Sequence, residues 1–342
     1  MLGPSGAVAR RLTRLAAALA LAGATSPLWP DGAVLGTFGR MLDSLAPHML
    51  GLAALLAAAA LAIRPGRSTL ALGLAALITA SGGAAGLMIG QQLQAANAAP
   101  PLRPEAASTR LSTGLDVIWL NLFMDNPTPP SQLAAAIEES GADLVILAEA
   151  SPLRPELARL ARGYPARIGC DHHRICEVVA LSRHAFLPGS VQRLPSSRPG
   201  RLLRFALRPE GAPEHSPPLT VIAAHIAKPW FYGYLEDDRW YVIDRTRQAP
   251  GPVLVTGDFN SADWSRPMRA LMTEAKLAAP AWPVATWPAW AGRFGVPIDH
   301  MLVAGGARLE GLRPWGEDLG SNHRGLRARV VWDAAPERIS RR

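Results

Sequence analysis

Six places in the sequence set a polar side chain at the end or the start of an apolar run. Asn121 follows "VIWL", Glu149 follows "LVILA", His225 follows "TVIAA", and Asp258 and Asn260 follow "VLVTG". Asp299 opens "DHMLV", and His323 stands just before "RGLRARVVW". Burying a carboxylate without a partner is costly, so acids at such positions keep a metal, an arginine or hydrogen-bond donors beside them. Strand ends are also where a rigid scaffold presents functional groups. Glu149 and Asp258 are hard oxygen donors suited to Mg²⁺ or Mn²⁺, with asparagine amides as further ligands or as donors to phosphate. Two imidazoles can move protons near neutral pH. These are the parts that phosphoester hydrolysis requires: charge neutralisation, an activated water and a protonated leaving group. No GxSxG, HExxH or P-loop lysine motif is present, which removes several competing enzyme classes.

The apolar runs themselves predict the elements that hold these residues. "LDVIWLNLF" reads as a strand, "PPSQLAAAIEESG" as a helix ending at Gly141, "ADLVILAEAS" as a buried strand and "PELARLARG" as a second helix. Strands then accumulate in "EVVALSR", "RLLRFALR", "LTVIAAHI", "VLVTGDFN", "IDHMLV" and "LRARVVW", with a helix over "DRWYVIDRTRQA". Helices that alternate with strands early, and strands that dominate later, predict a layered α/β (α+β) sandwich.

Taken in order, Asn121, Glu149, "AH" at 224–225, "GDFN" at 257–260, "IDH" at 298–300 and "SNHRG" at 321–325 resemble the endonuclease/exonuclease/phosphatase superfamily, over about residues 113–333. "LSR" at 181–183 and "TWP" at 286–288 also look like its bacterial membrane-tethered members. The resemblance implies a four-layer α/β sandwich of the deoxyribonuclease type and a Mg²⁺- or Mn²⁺-dependent phosphoesterase. It implies that Glu149 is the principal metal ligand, with Asn121 and Asn322 beside it. It further implies that Asp258 orients the attacking water, Asn260 and Arg183 bind substrate, and Asp299 holds His323 as a base or phosphate-binding group. His225 would stabilise the transition state or protonate the leaving oxygen, and Glu177 would support His225. The last motif departs from the family's Ser-Asp-His, reading Ser321-Asn322-His323. That change predicts weaker metal affinity, and it supports an alternative reading as a weakened or inactive envelope binding module.

The first hundred residues differ in kind. Leu15–Leu28, Leu45–Ile63 and Ser68–Pro101 carry no charge, and lengths near 20 residues match a bilayer core. The expected organisation is a membrane region over 1–94 with helices over 12–29, 45–63 and 69–90, a linker over 95–112, the catalytic domain over 113–333 and a tail over 334–342. Arg10, Arg11 and Arg14 precede the first stretch, and Arg64 and Arg67 separate the second from the third. Positive residues stay in the cytoplasm, so the catalytic part is expected outside the cytoplasmic membrane. The first stretch also reads as a signal peptide, which leaves that side unchanged. Gly82, Gly86 and Gly90, four apart, predict close helix packing. Cys170 and Cys176 flank "DHHRI", which fits a disulfide, free thiols or a metal site.

The net charge of +8 is spread along the chain, and all but two of the 35 basic residues are arginine. That balance identifies no partner by itself; the resemblance implies a phosphoester substrate (nucleic acid, phospholipid or small ester), and the apolar stretches imply a membrane, with no specific protein partner inferred.

Overall fold

The computed structural model describes residues 4–29, 35–63, 66–98, 112–171, 175–213 and 216–333. Arg64, most of the expected linker, His172 and His173 between the cysteines, and the expected tail lie outside the described residues. The chain divides into two units, residues 1–96 with Ser261–Arg269, and residues 97–260 with 270–342.

The first unit is helical, as its Ala- and Leu-rich composition favours. It contains α1 (Pro4–Thr25), α2 (Leu35–Ala62) and α3 (Arg67–Ala98). α2 begins ten residues before the expected span and carries Pro47 within it. Small residues face inward: Ala20, Ala53 and Ala80 cluster with Leu50, and Ala16, Ala57 and Ala76 cluster separately. Large residues such as Leu55 and Ile78 face outward. Among the described residues two helices, Gly36–Ala62 and Arg67–Leu93, are long and apolar enough to cross a membrane. The packing glycines differ from the expected ones. A Cβ on Gly82, Gly86 or Gly90 would meet nothing, whereas Cβ atoms on Gly23 and Gly83 would press on Leu50. In the same unit Asp43 is buried and accepts from Ser26 Oγ (3.0 Å) and from the Arg266 amide (2.6 Å).

The second unit is a two-sheet sandwich. One sheet runs in the order β10-β11-β1-β2-β4-β3 and the other in the order β5-β6-β7-β8-β9. The first is built from β1 (Ser112–Asn121), β2 (Leu144–Ala148), β3 (Ala166–Gly169), β4 (Val178–Ser182), β10 (Arg308–Trp315) and β11 (Gly325–Asp333). The second is built from β5 (Gln192–Arg193), β6 (Leu202–Leu207), β7 (Leu219–His225), β8 (Val253–Asp258) and β9 (Asp299–Ala304). Alternate residues of facing strands fill the layer between them, among them Val117, Trp119, Ile146, Phe205, Val221 and Met301. Full burial of each such side chain contributes roughly 1.5–3 kcal/mol.

Helix α4 (Pro130–Ser140) covers the outer face of the first sheet through Leu133, Ala134 and Ile137. It stops at Gly141, whose φ of 65° is the left-handed cap that glycine adopts without strain. Helix α6 (Tyr232–Arg247) lies against β7 and β8 and completes the α/β/β/α order. The helix expected over "PELARLARG" shrinks to α5 (Leu157–Leu160), its first residues, Pro155 and Glu156, being taken up by a 3-10 turn over Ser151–Glu156. β5, β10 and α7 (Arg266–Ala275) had no counterpart in the sequence reading. Cys170 and Cys176 are joined, with Cα atoms 4.7 Å apart, and close the turn between β3 and β4.

Candidate active site

Sheet topology brings the polar strand ends to one edge of the sandwich. β1 and β2 run parallel, so Asn121 and Glu149 emerge side by side. β7 and β8 also run parallel and pair His225 with Asp258, while antiparallel β9 pairs Asp258 with Asp299. β11 is antiparallel to β1, and His323 precedes it at the same edge. The glycine of "GDFN" lies inside β8. A Cβ there would sit 2.1 Å from the Ala224 carbonyl oxygen, so its role is close strand approach rather than strand ending. Glu149 (φ 48°) and Asn260 (φ 51°) both adopt left-handed backbone, which non-glycine residues keep only where the surroundings enforce it.

Two imidazole–carboxylate pairs face a shared carboxylate. His323 Nδ1 lies 2.8 Å from Asp299 Oδ2, and His225 Nδ1 lies 3.2 Å from Glu177 Oε2. The Nε2 atoms of His225 and His323 lie 3.8 Å and 4.0 Å from Asp258 Oδ2, and His225 Nε2 is also 3.8 Å from Glu149 Oε1. His225 Nε2 is buried and has no hydrogen-bond partner among the described residues. Asp258 Oδ1 accepts from the Asn260 amide (2.9 Å), and its Oδ2 accepts from Asn121 Nδ2 (3.0 Å). Glu149 Oε2 accepts from the Met124 amide (2.8 Å).

Burial opposes the charge on His323, but the charge and hydrogen bond of Asp299, with Asp258 and Glu149 nearby, outweigh it and hold the imidazolium up to about 9. Burial also works against ionised Asp299. The His323 charge and hydrogen bond, with donors Trp119 and Thr286, prevail and keep it below the usual carboxylate range. Asp258 moves the other way: burial and the neighbouring Asp299 charge push its carboxyl up. Glu177 is held low against its own burial by His225, Arg201 and Arg198.

The donor set fits a hard divalent cation. Half-buried Glu149 and buried Asp258 both approach an imidazole nitrogen that has no hydrogen-bond partner among the described residues, and hard carboxylate oxygens in such a setting suit a cation. Asp258, Asp299 and His323 also bring one ligand atom each within 4.8 Å of one another. Asp299 has both oxygens committed, Oδ1 to Trp119 Nε1 (2.8 Å) and Oδ2 to His323. Glu149 and Asp258, whose oxygens are likewise engaged, form a second candidate seat.

Three expected residues sit differently from expectation. Asn121 turns its amide nitrogen toward Glu149 (3.3 Å) and Asp258, while its oxygen accepts from the Phe123 amide (2.9 Å). It bridges the two carboxylates as a donor instead of adding a ligand oxygen. Asn322 is exposed, and its backbone carbonyl accepts from Ala289 (2.8 Å). Arg183 is not brought to the site. It follows the end of β4 that pairs with Leu144, whereas Glu149 lies beyond the opposite end, and its Nε donates to the Ala142 carbonyl (3.1 Å). Asn260 does reach the site edge, its Nδ2 donating to the Ile226 carbonyl (3.0 Å). Residues that sequence reasoning missed include Trp119, Thr286, whose hydroxyl accepts from the Asp299 amide (3.1 Å), and Arg201, 3.6 Å from Glu177. Thr286 opens the "TWP" stretch already noted, but its contact with Asp299 was not read from it; Trp119 and Arg201 carry no local signal, because each acts through a partner distant in sequence.

A cavity of about 600 Å³ opens beside Glu149 and His225. Arg198, Lys228, Trp230 and Tyr234 line it further out.

The sequence profile described as "Endonuclease/Exonuclease/phosphatase family" matches residues 118–323, more than half of the chain. Among curated proteins no sequence match is found. Solved structures are similar at low identity. An endonuclease/exonuclease/phosphatase from Beutenbergia cavernae is 19% identical with a TM-score of 0.49, covering 66% of this chain and 72% of that one. Humanized TDP2 of D. rerio is 16% identical with a TM-score of 0.50, covering 64% and 98%. Beta toxin of Staphylococcus aureus is 14% identical with a TM-score of 0.47, covering 63% and 99%. At such identities the likeness to TDP2 is one of fold. The profile match spans the strands from β1 to the His323 motif, and on that ground the chain belongs to the endonuclease/exonuclease/phosphatase family.

Proposed function

We propose that the protein is a divalent-metal-dependent phosphoesterase, of the nuclease or phosphodiesterase type, carried by an N-terminal membrane region. The observation that supports the chemistry best is the convergence of His225 and His323 on Asp258, each held from behind by its own carboxylate. Glu149 is the principal residue to hold Mg²⁺ or Mn²⁺, and Asn121 and Asp258 flank it. When bound, the cation supplies charge neutralisation at the phosphate and lowers the pKa of water. Asp258, fixed by Asn121 and Asn260, orients the attacking water and takes its proton, a task that a raised carboxyl pKa favours. His323 stays protonated at neutral pH and therefore holds a phosphate oxygen as a cation, in preference to acting as a base. His225, oriented by Glu177, gives a proton to the leaving oxygen.

Small residues inside and leucines outside in the first unit, and two long apolar helices, support a membrane-embedded region. Arg10, Arg11 and Arg14 support a cytoplasmic N-terminus. The Cys170–Cys176 pair supports an oxidising compartment outside the membrane for the catalytic part. TDP2 has been solved with a single-strand DNA product, so nucleic acid belongs on the substrate panel with phospholipids and small esters.

The test uses the full chain in detergent with bis-p-nitrophenyl phosphate. Turnover is expected with Mg²⁺ or Mn²⁺, none with EDTA, and none in Glu149→Ala or His225→Ala. Metal-independent hydrolysis, or full activity in both variants, would sink the reading. The alternative of an inactive envelope module rests on Asn322. Asn322→Asp tightening the metal titration without creating activity would favour it.

A further inference from the structure

Two turns leave the active-site edge of the second unit, and both expose large aromatic rings. The first follows β7 directly: Trp230, Phe231 and Tyr234 are 46%, 48% and 57% exposed, and all three line the cavity beside Glu149 and His225. The second precedes β9, with Trp290 at 88% and Phe294 at 70% exposed. This turn is tied to the site, because the Ala289 amide donates to the Asn322 carbonyl and Thr286 accepts from the Asp299 amide. Each turn also sets a cation on its ring, Lys228 Nζ 5.5 Å from the Trp230 centroid and Arg293 Cζ 5.1 Å from that of Phe294.

Rings this exposed leave apolar surface in water, and several together mark a place that meets another phase or partner. Aromatic rings beside long cationic chains suit the bilayer interface, where the ring sits at headgroup depth and the cation reaches lipid phosphate. A single-stranded nucleic acid would need a cationic track along the stacking platform. Here two of the nearby arginines, Arg198 and Arg201, are already drawn to Glu177.

We propose that the two exposed aromatic turns at the active-site edge, one lining the cavity and one tied to the Asp299–His323 side, form a membrane-docking surface that seats on a bilayer containing anionic phospholipid and brings the site to lipid headgroups. This rests on the membrane placement proposed above, and on no assumption about turnover.

The test uses the full chain bearing Ala291→Cys labelled with an environment-sensitive fluorophore. The native cysteines are paired, so the new thiol is the one labelled. Label at Glu310→Cys, exposed on β10, serves as the reference. In phosphatidylcholine vesicles containing phosphatidylglycerol and shallow spin-labelled lipid, the label at 291 should be quenched about threefold more than the label at 310. Adding Trp290→Ser and Phe294→Ser should abolish that difference while leaving hydrolysis of a soluble ester unchanged. Equal quenching at 291 and 310 overturns the proposal. So does a response at 291 to oligothymidylate together with none to vesicles. Failure of the anchor appears separately, as release of the chain by carbonate with the 291 signal retained. Failure of the hydrolase reading leaves the quenching untouched.

Discussion

Trp119 ties the core to the chemistry. Its indole N–H donates to Asp299 Oδ1 and leaves Oδ2 for His323, so a fully buried ring fixes the carboxylate that fixes the imidazole. Trp119→Phe keeps most of the packing but strips a buried oxygen of its donor, which costs about 1–3 kcal/mol. Denaturant unfolding should show that loss, and kcat should fall with KM nearly unchanged. Glu177→Gln should act in the same way on His225, with kcat reduced about 10²-fold and substrate affinity retained in steady-state kinetics. His323 carries a pH signature. Its folded pKa is raised, to about 9, so its stabilising contribution is fully present below the ordinary imidazole value and is lost as pH rises through about 9. In EDTA the wild-type chain should therefore lose roughly 3 kcal/mol relative to His323→Gln across that window. A flat difference in denaturation midpoint from neutral to alkaline pH would refute the pairing.

Among the elements, the tightest constraint is at Gly257. A methyl group there would drive Ala224 and β8 apart at the register that joins His225 to Asp258. Gly257→Ala should cost about 3 kcal/mol or more, since neither strand backbone can yield, and should lower activity along with stability. Strands buried on both faces were legible as unbroken apolar runs, as "LVILA" and "VLVTG" show, and the residues that end them were legible as site candidates. Polar elements were not: β10 reads "RLEGLRPW" and is half exposed along its length, so no period announces it. Strand polarity was also hidden. Arg183 ends an apolar strand as Glu149 does, yet β4 runs antiparallel to β2 and delivers Arg183 to the far edge. The orientation of Asn121 depended on the Phe123 amide in its left-handed turn, which residue types alone do not reveal.

At the scale of the molecule, the order in which strands lie in the first sheet sets when the site can exist. β11, the last described strand, is inserted between β10 and β1, against a strand some two hundred residues earlier in the sequence. Such distant pairing closes late, because a long loop must first give up its freedom. Removing residues from Gly325 onward should leave β1 with an empty flank, and limited proteolysis should then digest the second unit under conditions where the full chain resists. Until that strand arrives, β1 presents an open row of backbone donors and acceptors, and His323 has no fixed neighbour to bind against. A growing chain therefore carries most of the hydrolytic side chains through synthesis without an assembled site. Competence arises only once the segment that carries β11 has left the ribosome, so the topology itself acts as a timer on the assembly of the site.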